Sequence, residues 1–589
     1  MLGTEALLAL AAASFFLVVH AVSGFPTLDA SNGDNDSLLR LVEIRDLIAG
    51  QGWFDLHQYR MGPEGGFVMH WSRLVDAPIA AIMLGVAALT GSMATGETVA
   101  LIAWPFLLMA AAAFFLMRIG RAVGGDWAIL PCFIIGAAAL HFTGIFAPGN
   151  IDHHNVQLVL SLAVVAALSA PTAGFRQGAM AGTCAVLSLA VGMETLPYVA
   201  VAGLYVAIRL LLDGRGQAAL ATGFGTAFAA AAAVVFLATV PASGWSAATC
   251  DAYSIPQFAI AAIAGAGLAL TAGFEPLHRR VATRLVALIC TGAAAAATVL
   301  LFFPQCLSAP YASLDPRLKT YLLSAITEAQ PIWSVVRHNP AMAVSYYVTP
   351  LLGLLVLIWK LRRGATGAAI VVLAFLATAI AVSIWQVRGA VFAIPLATIP
   401  LAAWVGEWRA RVASGGDTSA TLKMAFAWIV SLNVVWSTSA NAIAGVAGAP
   451  LSPGGAVASA GTCNHAADFA ALASLPATTV LAVSNLGSPI VALTHHRVLA
   501  GPYHRNVAGD VLTLQAFMGS EPEAAAVIQQ NGVGLVVLCR GNDETTTLSG
   551  WAPAGFIAAL LHGDVPPWLE KLPGAAAEPL EIYRVRGPS

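Results

Sequence analysis

Four consecutive polar residues, Asp152-His153-His154-Asn155, stand directly against the apolar run VQLVLSLAVV. A carboxylate and an imidazole two positions apart can offer one oxygen and one nitrogen to a cation from a single short loop. Such a pair suits Mn2+, which accepts imidazole, better than Mg2+, which favours all-oxygen shells. The alternative is a helix cap, with Asp152 or Asn155 opening the helix that follows. A cap needs one of these residues, not four. Ionisable groups beside membrane-grade segments are costly and usually functional, so the Asp152/His154 cation site is the preferred reading.

Three more positions invite a chemical reading. In NGDNDSLLRLVEIRDLIAG, Asp36 sits at the start of a helix-like run. It can cap that helix, or serve as a metal ligand or catalytic carboxylate. Arg40 lies one turn on and can pair with it. In SAITEAQPIW, Glu328 is a carboxylate among apolar residues, with a solvated loop glutamate as the alternative. In IWQVRGAVFAIP, Arg388 is a lone cation between two apolar runs. It can snorkel to lipid phosphates or bind the phosphate of a lipid-linked substrate. Two acidic sites sharing a divalent cation, a further carboxylate and an arginine fit a lipid-phosphate or pyrophosphate donor. The cation would neutralise the leaving phosphate, and an Asp beside it could orient or deprotonate an acceptor.

The elements that must position these groups follow from composition. The chain has 589 residues, 58% hydrophobic and only 10% charged, with mean hydropathy +0.78. Soluble proteins carry about 25% charged residues, so this is a polytopic α-helical membrane protein. A net charge of -2 gives no basic surface for nucleic acid. Thirteen apolar runs are read as spans: 4–23, 97–118, 126–146, 156–171, 178–193, 195–212, 218–240, 256–273, 282–303, 343–360, 367–386, 389–406 and 422–441. The first is read as retained rather than cleaved. Ala77–Thr90 is read as a re-entrant or interfacial helix. With that choice, nearly all short basic loops (Arg118/Arg121, Arg176, Arg209/Arg215, Arg279/Arg280, Lys360/Arg362/Arg363, Arg409/Arg411) share one side, which is therefore cytoplasmic. The outer loops 24–96, 147–155 and 304–342 then carry Asp36, Asp152, His154 and Glu328, and Arg388 lies in the short outer turn 386–388.

Residues 1–441 are thus expected to form the transmembrane domain, and 442–589 an outer α/β domain. Within the latter, TTVLAVSN, IVALTHHRVLAG, VGLVVLC and EIYRVR read as strands, and DVLTLQAFMGS and PEAAAVIQQNG as helices. Of seven cysteines, Cys132, Cys184 and Cys290 fall in spans. Cys250, Cys306, Cys463 and Cys539 fall outside and can form two disulfides, such as Cys250–Cys306 and Cys463–Cys539, if that side is an oxidising bacterial periplasm.

In this arrangement the chain resembles the catalytic subunit of oligosaccharyltransferase, in its archaeal and bacterial single-subunit forms, among the GT-C glycosyltransferases. Asp36 is similar to that family's first-loop catalytic Asp. Asp152-x-His154 is similar to the second-loop D-x-D motif in its His variant. Glu328 resembles the mobile-loop Ser/Thr-x-x-Glu, and Arg388 the late-span Arg that contacts donor phosphate. The resemblance implies thirteen spans, an outer active site, a soluble carboxyl-terminal domain and an inverting, metal-dependent transfer using Mn2+ or Mg2+. There are departures. Ala325 stands where the mobile-loop motif has Ser or Thr. The family's Trp-Trp-Asp-Tyr-Gly sequon reader is absent, and its nearest counterpart, Val483-Ser484-Asn485-Leu486-Gly487, keeps only the Gly. The nearby His495, His496, His504, Arg497 and Arg505 read as a solvated surface, or alternatively as facing a glycan or lipid head group.

The function expected is transfer of a sugar or oligosaccharide from a polyprenyl-phosphate or -pyrophosphate donor on the outer face of a bacterial inner membrane. Asp36, Asp152 and His154 would hold the cation, Glu328 would serve acceptor and metal, and Arg388 the donor phosphate. The acceptor is a surface or lipid-linked glycan, or alternatively an asparagine in a protein. A lipid-linked glycan flippase or a non-catalytic assembly protein are the readings from other classes. Transporters keep their ionisable residues near the midplane, whereas here they gather at one face.

Overall fold

The structure, a computed structural model, describes residues 3–29, 34–308, 311–312, 314–321, 326–364, 366–451, 463–573 and 579–586. The chain is a multi-pass helical bundle with a small sheet domain at one end. Small residues let its helices approach closely, as expected where lipid supplies no hydrophobic drive between them. Gly178 and Gly182 of Phe175–Val191 lie directly on the backbone of Arg215–Thr239, and Gly225 and Gly265 face each other between Arg215–Thr239 and Ile255–Gly273. Among the long apolar helices of the described residues, the one that contains Ala390–Ala413 is the most buried. Val281–Phe302 presents apolar side chains outward almost along its whole length.

Among the described residues ten helices are long and apolar enough to cross a membrane, or eleven if the bent pair Thr418–Ser431 and Asn433–Ala447 counts as one span. That differs from thirteen for a physical reason. Asp126–Phe142, His153–Leu168 and Phe175–Val191 lie where spans were expected, but have no more than 17 residues. At about 1.5 Å per residue each is about 25 Å long, less than a hydrocarbon core. His153–Leu168 is buried inside the bundle along most of its length, so it does not have to match the lipid. Arg73–Thr90, expected to lie along the interface, does pass the test. It forms a hairpin with Met93–Gly124: Asp76 in its first turn pairs with Arg40, and its Met83 packs back on Gly96.

Basic residues of several short connections, Arg121, Arg215, Lys360 and Arg409 among them, lie at the end away from Asp152. There Arg121 pairs with Glu5, Arg215 with Glu275 and Lys360 with Glu407, while Arg409 donates to the Trp127 carbonyl at 3.0 Å.

A short antiparallel hairpin, β1 (His57–Gln58) and β2 (Phe67–Val68), lies in the loop after the first helix. The sheet domain contains β3 (Thr479–Leu481), β4 (Arg497–Val498), β5 (Val533–Cys539), β6 (Leu569–Lys571) and β7 (Leu580–Val585), in the order β4-β3-β5-β7-β6. β3 is parallel to both neighbours, and β7 is antiparallel to both of its own. The residues Ile490–Leu493, expected in a strand, belong instead to the helix Gly487–Leu493. Pro489 fits a helix's first turn but cannot donate to a sheet ladder.

The first loop clasps this domain. Gly62 donates to the Val498 carbonyl at 2.8 Å and Val498 to that of Arg60 at 2.9 Å, so the loop covers the exposed edge of β4. Arg45 reaches the Ala492 carbonyl at 2.8 Å. Leu39, Val42, Met61 and Trp71 share one apolar core with the sheet. Cys463 is bonded to Cys539, and Cys250 to Cys306. Of the other cysteines Cys132 is buried, Cys184 half-buried and Cys290 exposed.

Candidate active site

Two helix starts meet beneath the sheet domain. The helix Asn35–Ile48 is capped by Asp34, which accepts from the Ser37 N–H at 3.1 Å and the Ser37 hydroxyl at 2.5 Å. The cap is therefore Asp34, not Asp36, and Asp36 is left in the first turn, half-buried, with no capping duty. The second start is His153–Leu168, capped by Asp152, whose Oδ1 accepts from the His153 N–H at 2.6 Å. Asp152 thus caps the helix through Oδ1, and its Oδ2 faces His154. Asn155 is buried, and donates to the carbonyls of Ile145 and Asn150 to close the loop.

Ser37 joins the two starts. Its hydroxyl oxygen accepts from the backbone N–H groups of Ile151 at 3.0 Å and Asp152 at 3.1 Å. The result is a concentration of negative charge. Burial pushes the Asp36 carboxyl well above the usual range, and the charges of Asp152, Asp34 and Glu328 push it further. Asp34 is raised to about 6 by burial and by Asp152. Burial acts on Asp152 in the same direction, but the two neighbouring imidazoles outweigh it and hold its carboxyl well below the usual range.

Arg40 does not neutralise Asp36, as one-turn spacing had suggested. It is fully buried and donates to Asp76 at 2.7 Å, with its guanidinium 4.4 Å from the Trp71 ring centre. Asp76 is also held by Arg73 at 3.1 Å. Arg40 is thus committed elsewhere.

Asp152 Oδ2 and His154 Nε2 lie 3.7 Å apart, a gap one cation with ligands about 2.1 Å away can bridge. Asp152, His153 and His154 form a three-residue group of metal-ligating type. His153 is engaged on both nitrogens, Nδ1 with Asp152 at 2.6 Å and Nε2 facing Glu194 at 3.6 Å. His154 has the freer ring. Carboxylates crowd here, and Arg40 is already paired with Asp76; among the described residues the group of metal-ligating type is Asp152, His153 and His154, and it does not include Asp36.

Glu328 and Arg388 complete the cluster. Glu328 is exposed, in a short helical turn Thr327–Ala329, and its carboxylate is 3.8 Å from Arg388 Nη2. The Val387 N–H donates to the Gln330 carbonyl at 3.0 Å, which fastens the Glu328 segment to the arginine turn. Arg388 is half-buried, and its Nε has no hydrogen-bond partner among the described residues. Ala325, where the motif departs from Ser/Thr, lies outside the described residues.

Sequence reasoning missed Glu194 and Gln157. Gln157 Nε2 donates to Glu194 at 3.0 Å, and its Oε1 is 3.1 Å from His154 Nδ1. A carboxylate in the short turn between two apolar runs was the available signal for Glu194.

Solved structures share the fold of this chain. Archaeal oligosaccharyltransferase AglB from Archaeoglobus fulgidus, in complex with an inhibitory peptide and a dolichol-phosphate, matches with a TM-score of 0.61 at 13% identity, over 90% of this chain and 68% of that one. The chain has the oligosaccharyltransferase fold. The Archaeoglobus fulgidus oligosaccharyltransferase tethered to an acceptor peptide containing the NVT sequon matches with a TM-score of 0.60 at 15% identity, over 90% and 68% of the two chains. The same enzyme in complex with Zn and sulfate gives 0.55 at 13%, over 86% and 64%. No family model and no curated protein matches the sequence.

Within this oligosaccharyltransferase fold, the segment Val483–Gly487 is sealed rather than open. Val483, Ser484 and Leu486 are buried, and Glu544 accepts from the Ser484 hydroxyl at 2.8 Å and the Asn485 N–H at 2.7 Å. Most of the histidine-rich run is not a solvated surface, although His495 is exposed. His496 is buried and faces the Leu472 carbonyl at 2.8 Å, His495 bonds to Leu475, and Arg497 donates to the Pro63 carbonyl. His504 and Arg505 both meet Asp251 at 2.8 Å. Arg497, His504 and Arg505 thus dock the domain on the membrane half, while His495 and His496 hold to their own domain.

Proposed function

We propose that this chain is a metal-dependent GT-C glycosyltransferase. It moves a sugar or oligosaccharide from a polyprenyl-phosphate or -pyrophosphate donor to an acceptor on the outer face of a bacterial inner membrane. Residues 1–441 would be the catalytic membrane domain and 442–589 the periplasmic domain. The observation that carries this reading is the junction of the two helix starts through Ser37, which gathers Asp36, Asp152 and His154 at the end of the bundle where Glu328 and Arg388 also lie.

Asp36, Asp152 and His154 would hold Mn2+ or Mg2+. When bound, the ion supplies charge to the leaving phosphate as a Lewis acid and template. The chain's own groups do the rest. The guanidinium of Arg388, with Nε unpaired, can take phosphate oxygens in its planar fork. Glu328 faces that arginine from an exposed turn and can reach an acceptor group from the solvent side. Asp36 has no capping duty and is not paired with Arg40, so it can orient the acceptor or accept its proton.

The sealed Val483–Gly487 segment supports an acceptor other than a sequon: a surface or lipid-linked glycan. Transfer to asparagine is the second reading. It is favoured by the acceptor peptide bound in the Archaeoglobus fulgidus enzyme, which has this fold. The test is incubation of the purified chain with a lipid-extract donor pool and Mn2+, with and without a sequon peptide, followed by mass spectrometry. A glycosylated product that disappears with Asp36→Asn and Asp152→Asn supports the reading. A flippase or an assembly protein would yield no product, and would be indifferent to both substitutions.

A further inference from the structure

His154 is held by a chain of hydrogen bonds whose polarity is fixed from one end. Glu194 is a carboxylate and can only accept. Its Oε2 lies 3.0 Å from Gln157 Nε2, so Gln157 must present its NH2 group there. The Gln157 carbonyl oxygen then points the other way, 3.1 Å from His154 Nδ1. An oxygen accepts, so Nδ1 must carry the hydrogen. The remaining nitrogen, Nε2, keeps its lone pair and faces Asp152 Oδ2 across 3.7 Å. Gln157 is fully buried, so water does not compete for its amide.

We propose that Glu194 and Gln157 are positioning residues that set His154 as an Nε2 metal ligand, a role that neither the motif Asp152-x-His154 nor the fold match assigns. Reversing the amide would place NH2 against Nδ1, move the hydrogen to Nε2 and close the ligand position. Only a group that cannot donate, on the far side of Gln157, prevents the reversal. A neighbour that orients a ligating histidine is typically worth about 10–100-fold in metal affinity. The inference rests on the cation reading above, and is tested by a measurement that does not use turnover.

Mn2+ is titrated into the metal-free full chain in detergent, and free Mn2+ is read from its electron paramagnetic resonance signal. Glu194→Gln introduces a side chain that can donate to Gln157, and affinity should fall about 10–100-fold. Glu194→Gln with Gln157→Glu restores a non-donating group against Nδ1 at unchanged total charge, and should recover the affinity. In a His154→Asp background no tautomer exists to be set, so Glu194→Gln should have no effect. Unchanged affinity in Glu194→Gln, an equal loss in the His154→Asp background, or no recovery in the swapped pair would overturn the relay. An equal loss in both backgrounds would mean that Glu194 acts only through its charge. If the wild-type chain takes up no Mn2+ that Asp152→Asn abolishes, the cation reading itself fails and the relay goes with it. That outcome is distinct from a wild type that binds and a Glu194→Gln variant that binds equally well.

Discussion

The Ser37 hydroxyl accepts the backbone N–H of Asp152 at 3.1 Å while donating to Asp34 at 2.5 Å. One side chain thereby fixes the second carboxylate of the site relative to the helix that carries the first. Ser37→Ala would leave two buried N–H groups, those of Ile151 and Asp152, without an acceptor. Such orphaned donors cost about 1–3 kcal/mol. A misplacement of about 1 Å at a reacting centre can cost about 100-fold in rate. The variant should therefore unfold at a lower temperature and lose far more transfer activity than its stability loss explains. Thermal unfolding in detergent and product mass spectrometry measure the two effects.

Asp36→Asn should separate stability from function. The ionised carboxyl, with its pKa raised by burial and then by Asp152, Asp34 and Glu328, is disfavoured in the folded chain relative to the unfolded one. Its charge therefore destabilises the metal-free fold at neutral pH. In the presence of a chelator, Asp36→Asn should unfold at the same or a higher temperature than wild type. With Mn2+ and donor it should be inactive if Asp36 serves the proposed site. A large fall in metal-free unfolding temperature would contradict the charge-crowding account.

Arg388 predicts a donor-specific defect. Arg388→Ala removes a guanidinium that faces Glu328 at 3.8 Å and has one nitrogen unpaired. A hydrogen bond to a charged group is worth about 1.5–3 kcal/mol. The donor KM should rise by roughly 10–100-fold, with the acceptor KM little changed. Arg388→Lys keeps the charge but not the fork, and should fall between the two. Kinetics with varied donor and fixed acceptor distinguish these cases.

Docking of the sheet domain should depend on pH through Asp251. Burial raises its carboxyl, but hydrogen bonds from His504 and Arg505 outweigh burial and hold it well below the usual range. A depressed folded pKa contributes stability above the unfolded value, about 3.9, and that contribution is lost as pH falls below it. Asp251→Asn should lower the unfolding temperature at pH 7, and the difference from wild type should shrink as pH drops below about 4. Limited proteolysis between the two halves over the same pH range provides an independent readout.

The sequence by itself determined what depends on neighbours along the chain. Hydropathy over windows of about 20 residues marked most of the helices, and the arginine distribution assigned one end of the bundle to Asp36, Asp152, Glu328 and Arg388. It also marked β5 and β7 and the helices Val507–Met518 and Glu521–Gln530, whose periodicity is local. Tertiary structure decided what depends on partners far away in the chain. Arg40 is one turn from Asp36, yet its partner is Asp76, 36 residues on. The cap fell to Asp34, because Ser37 had to turn its hydroxyl toward both Asp34 and the Asp152 loop. Glu194 became part of the site only because its helix turn packs beside Gln157, 37 residues earlier. His504 and Arg505 look solvated until a loop more than 250 residues earlier brings Asp251 to them. A residue's type and spacing state what chemistry it can do. Which charge it meets is set by packing, because electrostatic and hydrogen-bonded partners act over a few ångströms of space and without regard to separation in sequence.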